Sequence, residues 1–337
     1  MNKVKKNITI VDVAEKAGVS KTTISRYLNG KFEFMSEESK RRIAQIIEEL
    51  GYRPNNLARS LKSKKSRLIG VVVSDISSPF SSILSKGISD CCERYGYGVL
   101  ITSTDDNPRK EREYILSMID QRVEGIILNT TGQNNDFLEK ISKAGIPIIL
   151  ADRPIPLNLF DCVRTADAKY VMQTMQYLKE NNYSRVALFI EALNNGTRLS
   201  RFNAYNEACH SLLQIEPEVY YFDHNKPEAA KELITNFISQ AGSAKKAVFA
   251  ANGVVMLHVV KALQALGLKV PEDIGICGVD NWDWTEIVSP GITVIEQPSY
   301  RVGRECVKRM MFRLHRNKNA TPRLIELECK LIIRGSV

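Results

Sequence analysis

The sequence predicts an all-α N-terminal head with a helix-turn-helix, followed by an α/β body of two lobes built on doubly wound parallel sheets. Residues 8–30 form a pattern of two short helices joined by a tight turn. From residue 68 onward, apolar strand-like runs alternate with helical runs in two successive series, which is typical of parallel sheets with helices on both faces. Charge separates the same two parts, because residues 1–67 carry 16 Lys and Arg against 7 Asp and Glu, whereas the remainder carries 31 of each.

The head begins with a helix that Thr9 can cap, and Asp12 stands three residues later in the spacing of a capping box. Gly18 supplies the turn, where a positive φ is often required. Ser20 then caps a predicted second helix, Lys21–Leu28, which has an apolar inner face and a polar, basic outer face. This arrangement is typical of a helix-turn-helix, whose second helix enters the major groove. An ordinary amphipathic helix pair at a domain edge is the alternative.

A third helix is expected to open at Ser36, with two acidic residues in its first turn, and to end at Gly51. The segments TIVDVAEKAGVSKTTISRYLNG, SEESKRRIAQIIEELGYRPN and LARSL resemble, in this order and spacing, the LacI/GalR family of bacterial transcription regulators. The resemblance continues through the body in SDISSPF, RVEGIIL, GIPIILADRP, VPEDIGICGVDN and PGITVIEQPSYRVG. It implies that the body has the fold of periplasmic sugar-binding proteins.

The resemblance divides the chain into a DNA-binding head over residues 1–54, a hinge helix or linker over 55–66 and an effector-binding and dimerisation body over 67–337. The first lobe is expected to comprise about residues 67–163 and 296–325. The second lobe is expected to comprise about residues 164–295 and 326–337.

The resemblance places Lys21, Thr22 and Arg26 at positions that touch base edges, and an arginine can bind guanine with two hydrogen bonds. It also implies DNA contacts for a second group: Ser20, Ser25, Asn29, Asn55, Ala58, Leu61 and Lys62. The three polar residues of this group in the head can equally contact phosphates or cap helices. In the hinge, Leu61 is expected to wedge into the minor groove, and Ala58 to let two hinge helices approach each other. Composition alone would also fit a plain basic linker.

Matching to the family places seven residues of the body against a small-molecule effector: Phe80, Asp152, Arg153, Arg201, Asn252, Asp280 and Gln297. Trp282 is an eighth candidate because of its ring. Arginines are suited to binding a carboxylate with two hydrogen bonds. Gly253 stands where many relatives have Asp, which removes a charge that would repel an anion. Asp167-Ala168 replaces a common Asp-Asn pair. One of the two tryptophans, Trp282 or Trp284, could stack on a sugar or cover the cleft; alternatively, both pack inside the second lobe.

The tract VDNWDWT followed by PGITVIEQPSY resembles regulators of hexuronate and ketogluconate use within the family. It implies that the effector is a small sugar acid such as 2-keto-3-deoxygluconate. A neutral sugar or a phosphosugar can use the same arginine, asparagine and aspartate side chains, so both remain alternatives.

The sequence contains no GxxxxGKS/T, GxSxG or strand-linked GxGxxG pattern, and its four histidines form no local metal motif. We therefore expect no enzyme, no catalytic residues, no cofactor and no metal. No apolar run approaches ~20 residues, and no apolar core follows the basic start, so neither a membrane span nor a signal peptide is expected. The seven scattered cysteines indicate buried thiols in a reducing cytoplasm.

These observations predict a cytoplasmic, effector-responsive and sequence-specific DNA-binding transcription regulator. It is expected to repress carbohydrate or sugar-acid catabolism genes and to bind a palindromic double-stranded operator as a homodimer. A sugar-binding transport protein would explain the body alone, but the basic head and the missing signal peptide speak against it. A sugar-modifying enzyme is the third alternative, which the missing catalytic motifs disfavour.

Overall fold

The computed structural model describes residues 8–33, 35–52, 65–155, 159–223, 226, 228–317 and 320–337. Two compact units divide the chain, one over Met1–Ser66 and the other over Arg67–Val337. Within the described residues, no helix has the combination of length and apolar character that crossing a bilayer requires.

The head contains three helices: α1 (Ile10–Ala17), α2 (Lys21–Leu28) and α3 (Glu37–Glu49). The predicted capping box at Thr9 is complete, because the Thr9 backbone N–H donates to Asp12 Oδ2 at 2.6 Å and the Thr9 hydroxyl accepts from the Asp12 N–H. Gly18 adopts the left-handed conformation with φ +63° at the turn. The three helices bury a small shared core: Val13, Ala14, Ala17, Ile24, Ile43 and Ile46. The predicted helix-turn-helix is confirmed.

The body alternates strands and helices in the two predicted series. Its first series consists of β1 (Leu68–Val73), α4 (Pro79–Arg94), β2 (Gly98–Ser103), α5 (Pro108–Asp120), β3 (Gly125–Leu128), α6 (Asn135–Lys143), β4 (Ile148–Ala151) and β5 (Asp161–Thr165). Its second series consists of α7 (Asp167–Glu180), β6 (Arg185–Ile190), α8 (Gly196–Ala208), β7 (Glu218–Tyr221), α9 (Ala229–Ala241), β8 (Lys246–Ala250), α10 (Gly253–Ala265), β9 (Gly275–Val279), α11 (Asp283–Ile287) and β10 (Thr293–Glu296). The chain then forms α12 (Ser299–His315), β11 (Leu324–Leu327) and β12 (Lys330–Ile332).

Each lobe is built on one six-stranded sheet, as the predicted fold class requires. The first sheet has the order β11-β5-β4-β3-β1-β2, with every neighbouring pair parallel. The second has the order β12-β10-β9-β8-β6-β7, and only β12 runs antiparallel to its neighbour. The chain therefore crosses between the lobes after Thr165, after Glu296 and after Leu327.

Alternate strand residues enter different apolar cores on the two faces of each sheet. In β1, Val71 and Val73 belong to one core and Val72 to the other. In β6, Leu188 and Phe189 divide in the same way. A strand buried on both faces is apolar along its whole length, which explains why these strands are recognisable as continuous apolar runs.

Helices α4 and α12 pack closely on the first lobe because each carries a glycine at their contact. A Cβ on Gly87 would collide with the backbone at Tyr300, and a Cβ on Gly303 would collide with the backbone at Leu84. The two glycines thus permit a backbone separation that larger residues would prevent.

Two local features differ from the pattern in the sequence. Helix α8 ends at Ala208, and a single π-helical turn, Cys209–Leu213, continues it. The edge strand β11 and its neighbour β5 are short and contain charged residues, so periodicity did not reveal them.

All seven cysteines are buried free thiols, and burial raises the pKa of Cys209 to about 11.

Candidate functional site

The recognition helix α2 presents a polar surface that a buried side chain holds in place. Ile24 is fully buried, whereas Lys21, Thr22 and Arg26 are exposed. These three side chains are therefore available to a ligand outside the head, as contact with base edges requires.

Two polar residues beside this surface secure the ends of α2. The Ser20 hydroxyl accepts from the Thr23 N–H at 3.1 Å and caps the helix. Asn29 Nδ2 donates to the Ser25 carbonyl at 2.7 Å. Ser20 and Asn29 thus have structural roles whether or not they also reach phosphate. The remaining predicted DNA-binding residues, Asn55, Ala58, Leu61 and Lys62, lie outside the described residues, as does most of the predicted hinge.

In the body, Arg201 lies in α8 at the centre of a buried polar network. Its side chain is almost fully buried, and its Nε donates to Asp167 Oδ2 at 2.5 Å. Its two terminal nitrogens donate to the Ala251 carbonyl at 2.8 Å and to Gln297 Oε1 at 3.0 Å. Burial alone would lower the pKa of Arg201, but the carboxylates of Asp167, Asp152 and Asp280 raise it above its usual value. Arg201 is thus a permanent cation with protein partners on every nitrogen.

Gln297 connects Arg201 to Asp280 and joins the two lobes. Its Nε2 donates to Asp280 Oδ1 at 2.6 Å, and its Oε1 also accepts from the hydroxyl of Thr165 in β5 at 3.2 Å. Asp280 follows β9 with φ +88°, and its Oδ2 accepts from the Gly253 N–H at 2.9 Å. Both oxygens of Asp280 are therefore bound within the protein.

Asp152 follows β4 and differs from Asp280 in having an unsatisfied oxygen. It is 8% exposed with φ +69°, and its Oδ1 is buried without a partner among the described residues. Its backbone carbonyl accepts from the hydroxyl of Thr197 in the second lobe at 3.0 Å. Burial raises the pKa of Asp152 to about 6, although Arg201 acts in the opposite direction. Asp152 can therefore offer a ligand either an acceptor or, when protonated, a donor.

A chain of alternating charges spans the two lobes beside this network. Arg153 pairs with the Asp106 carboxylate and also donates to the Thr130 carbonyl at 3.2 Å, all within the first lobe. From the second lobe, Arg198 Nη2 lies 3.6 Å from Asp106 Oδ2 and donates to Glu191 Oε2 at 2.6 Å. These ion pairs join the two lobes.

Asn252 extends this series of alternating charges on the side of the second lobe. Its Nδ2 donates to Glu191 Oε2 at 2.8 Å, while its Oδ1 caps α10 by accepting from the Val255 N–H at 2.9 Å. Its amide is thus oriented by the helix end and by Glu191.

A cavity of about 560 Å³ opens beside these ion pairs and is the larger of the two cavities described. Its lining residues are Asp106, Glu191, Ala192, Leu193, Asn194, Arg198, Tyr221, Phe222 and Asp223. This volume is in the range of small-molecule sites. None of the eight effector candidates from the sequence lines this cavity, and Asp106, Tyr221, Phe222 and Asp223 were not expected there. Tyr221 is the last residue of β7, and the other three residues follow the carboxyl ends of β2 and β7, which was the available signal.

The aromatic candidates separate by environment. Phe80 in α4 is partly exposed and packs against a first-lobe core. Trp284 packs against a second-lobe core. Trp282 belongs to none of the described cores and lies over Gly253. Of the two tryptophans, Trp282 is therefore the one whose ring lies outside the described cores.

Comparison with known families assigns both parts of the chain. Residues 9–55 match the family described as bacterial regulatory proteins, lacI family, and residues 175–337 match the periplasmic binding protein-like domain. The HTH-type transcriptional regulator KdgR of Bacillus subtilis is 41% identical over 332 residues, which cover 98% of this chain and 97% of KdgR. The HTH-type transcriptional regulator PtxS of Pseudomonas putida is 32% identical over 333 residues, covering 98% and 96% of the two chains.

Solved structures show the same architecture. The lac repressor dimer bound to operator and the anti-inducer ONPF superimposes with a TM-score of 0.83 at 21% identity, covering 98% of this chain and 99% of the other. The cellobiose complex of the transcriptional regulator CelR superimposes with a TM-score of 0.69 at 24% identity, covering 98% and 100%. At these identities the similarity shows a shared fold.

Proposed function

The chain belongs to the lacI family of bacterial regulatory proteins and is a DNA-binding, effector-responsive transcription regulator, and we propose that it represses genes of carbohydrate or sugar-acid catabolism. The observation that carries this proposal is the pairing of an exposed polar recognition helix in a basic head with a sugar-sized cavity between two lobes. The first feature suits a polyanion, and the second suits a small ligand that changes how the lobes meet.

On the DNA side, we assign base contacts to Lys21, Thr22 and Arg26, which are the exposed polar side chains of α2. Ser20, Ser25 and Asn29 flank them and would contact phosphates in addition to securing the helix ends. The resemblance assigns the hinge roles to Asn55, Ala58, Leu61 and Lys62, with Leu61 as the minor-groove wedge. A palindromic operator and a homodimer complete this proposal, because two equivalent heads match two half-sites.

For the effector, we propose a small sugar acid such as 2-keto-3-deoxygluconate. Arg153 and Arg198 flank the single carboxylate of Asp106, so a ligand carboxylate could take the place of that acid. Asn252, Asp280 and Gln297 already bind protein groups and would offer hydroxyls only their remaining donors and lone pairs, whereas Asp152 offers an unsatisfied oxygen. Arg201 acts behind them by fixing Gln297, while Phe80 and Trp282 supply apolar surface. We assign binding and no chemical conversion to the cleft.

A gel shift with a palindromic operator tests the regulator proposal, and calorimetry tests the effector class. We expect specific operator binding that 2-keto-3-deoxygluconate alters, and heat of binding from sugar acids that exceeds that from neutral sugars and sugar phosphates. Loss of operator discrimination against scrambled DNA would contradict the regulator proposal. Binding of a neutral hexose with no response to any acid would contradict the effector class alone.

A further inference from the structure

Gly253 and Trp282 meet at the edge of the second-lobe sheet in a way that excludes a side chain at position 253. A Cβ built on Gly253 would lie 2.7 Å from both Cζ2 and Cη2 of Trp282 and 2.8 Å from its Cε2. Carbon atoms separated by van der Waals contact are about 3.5–4.0 Å apart, so the indole already fills the space that any other residue would need. The absence of a side chain at Gly253 therefore allows the Trp282 indole to occupy this position.

We propose that Gly253 and Trp282 form a single specificity element, in which the absent side chain seats the indole and the indole forms an apolar wall for the effector. This inference rests on the proposed function of the cleft as an effector site. It explains why the Trp282 indole can lie at this position in this chain, and it identifies the C–H face of the effector as the surface that the indole would contact.

The ring is not accounted for by packing inside the lobe. Trp284, two residues later, is also partly exposed but packs against a second-lobe core, whereas Trp282 joins no core cluster of the described residues. The indole N–H of Trp284 is buried without a partner among the described residues, so a missing N–H partner does not distinguish the two rings. A tryptophan usually gains stability from extensive apolar contact and a partner for its N–H. Trp282 lacks the extensive apolar contact of a core cluster, which leaves part of its ring available to a ligand.

Hydrogen bonds hold the Gly253 backbone, against which the ring lies, beside the polar network. The Gly253 N–H donates to Asp280 Oδ2, and Asp280 Oδ1 accepts from Gln297, which in turn accepts from Arg201. A ligand beside Trp282 would thus have polar groups on one side and an apolar ring on the other. Sugars have this character, because hydroxyls project from their edges and C–H groups form a face.

The contrast between polar groups on one side and an apolar ring on the other indicates the class of ligand that this position would favour. A deoxy carbon enlarges the C–H face of a sugar without adding a hydroxyl that the ring could not bind. An acidic side chain at 253 would both displace the ring and add negative charge beside Asp280. The pair therefore favours a ligand with a broad C–H face over a fully hydroxylated counterpart.

Fluorescence provides the first test, because the chain contains only two tryptophans. In the full-length Trp284→Phe variant, emission reports Trp282 alone. Titration with 2-keto-3-deoxygluconate, and in parallel with each sugar that binds by calorimetry, should change this emission with the calorimetric midpoint. The matched Trp282→Phe variant retains Trp284 in its core and should show little change.

A double-mutant cycle tests the coupling between the two residues. Gly253 has no left-handed φ, so Gly253→Ala introduces a Cβ without backbone strain and acts through the ring. We expect Gly253→Ala and Trp282→Ala each to weaken effector binding about tenfold. Adding Gly253→Ala to Trp282→Ala should cause no further loss, because the clash has been removed.

The outcomes separate this inference from the function on which it rests. A ligand that binds by calorimetry without changing Trp282 emission would overturn the inference and leave the effector site intact. Additive losses in the cycle would likewise overturn the pairing. If no sugar or acid binds while operator binding persists, both the effector proposal and the pairing fail, but the DNA-binding function stands. Thermal melting of every variant checks that the body remains folded.

Discussion

Asp152 and Arg201 show how single residues of the cleft combine binding potential with energetic cost. Asp152 is nearly buried and keeps one oxygen without a partner, so its charged form is poorly solvated. Arg201 is equally buried, but Asp167, the Ala251 carbonyl and Gln297 satisfy its donors. The same buried polar network therefore contains one satisfied cation and one carboxyl whose protonation depends on pH.

The titration of Asp152 predicts a pH-dependent stability. Burial raises the pKa of Asp152 to about 6, compared with about 3.9 in an unfolded chain. Between these values the folded state holds more protons than the unfolded state, so the contribution of this group to stability falls as pH rises from about 4 to 6. Asp152→Asn should therefore raise the free energy of unfolding at pH 7.5 by about 1–3 kcal/mol, and by less at pH 5.

Urea denaturation at the two pH values measures this difference, with the exposed Asp120→Asn as control. A gain for Asp152→Asn that is equal at pH 5 and pH 7.5 would show that titration of this carboxyl is not its cause.

Arg201→Ala should destabilise the body, although the family match places Arg201 against the effector. The substitution leaves Asp167 buried without its cation, which typically costs about 3–5 kcal/mol. Adding Asp167→Ala removes the unpaired charge, so the double variant should lose less stability than the sum of the single variants. Chemical denaturation of the four proteins provides the cycle; additive losses would argue against the pair.

Among the elements, α2 depends on its cap for a defined N-terminus. With 8 residues, it is too short to be stable in isolation, so the Ser20 cap and the buried Ile24 both contribute to its order. Because the predicted base-reading residues lie in its first two turns, disorder at this end would disturb DNA contacts directly.

Ser20→Ala should weaken α2 by about 1 kcal/mol, while Ser20→Gly should cost only a few tenths. The reason is that alanine removes the acceptor of the Thr23 N–H without permitting the extended cap conformation as easily. Hydrogen exchange of the α2 amides in the full-length protein measures the change, and Thr22→Ala serves as an exposed control within the helix. Equal exchange in Ser20→Ala and the unmodified protein would mean that the cap is dispensable.

In the whole molecule, the excess positive charge is concentrated in the head. The net charge of +9 resides in residues 1–67, and the remaining residues are balanced. Attraction to a polyanion thus acts on the head, whereas the neutral body can bind a small ligand and a second protomer without a large net repulsion.

Operator affinity should fall steeply with ionic strength, because each neutralised phosphate releases condensed counterion. With 6 or more phosphates contacted, raising salt from about 50 to 200 mM should weaken binding by about 10³-fold or more. A filter-binding or anisotropy titration series gives the slope directly. A flat response across this range would contradict DNA binding through the basic head.

The proposed homodimer should depend on α4, which packs against α12 and exposes Ile83 to the extent of 44%. The family resemblance places the first helix of the body in the dimer interface. Ile83→Glu should therefore shift sedimentation at micromolar concentration from dimer to monomer and lower operator affinity, since the two half-sites are no longer bound together. Leu266→Glu, at the end of α10, is the control and should remain dimeric. A dimer that survives Ile83→Glu would place the interface elsewhere.

The sequence by itself determined the head and the alternation of elements in the body. Caps and turns are local, so Thr9, Gly18 and Ser20 have the predicted roles within a few residues of the groups they bind. Parallel strands buried on both faces leave continuous apolar runs, so β1, β3 and β4 were recognisable without knowing their partners.

Only the tertiary structure decided what the candidate ligand residues contact. The Arg153–Asp106 pair joins residues 47 apart, and the Arg201–Gln297 hydrogen bond joins residues 96 apart. Periodicity identifies the buried face of an element but carries no information about which distant side chain lies opposite. For the same reason Gly253 indicated a missing carboxylate in the sequence, whereas packing shows that Trp282 fills its place. Helix caps, turns and buried strands could therefore be predicted from the sequence, whereas the contacts between distant charged and aromatic side chains could be seen only in the folded lobes.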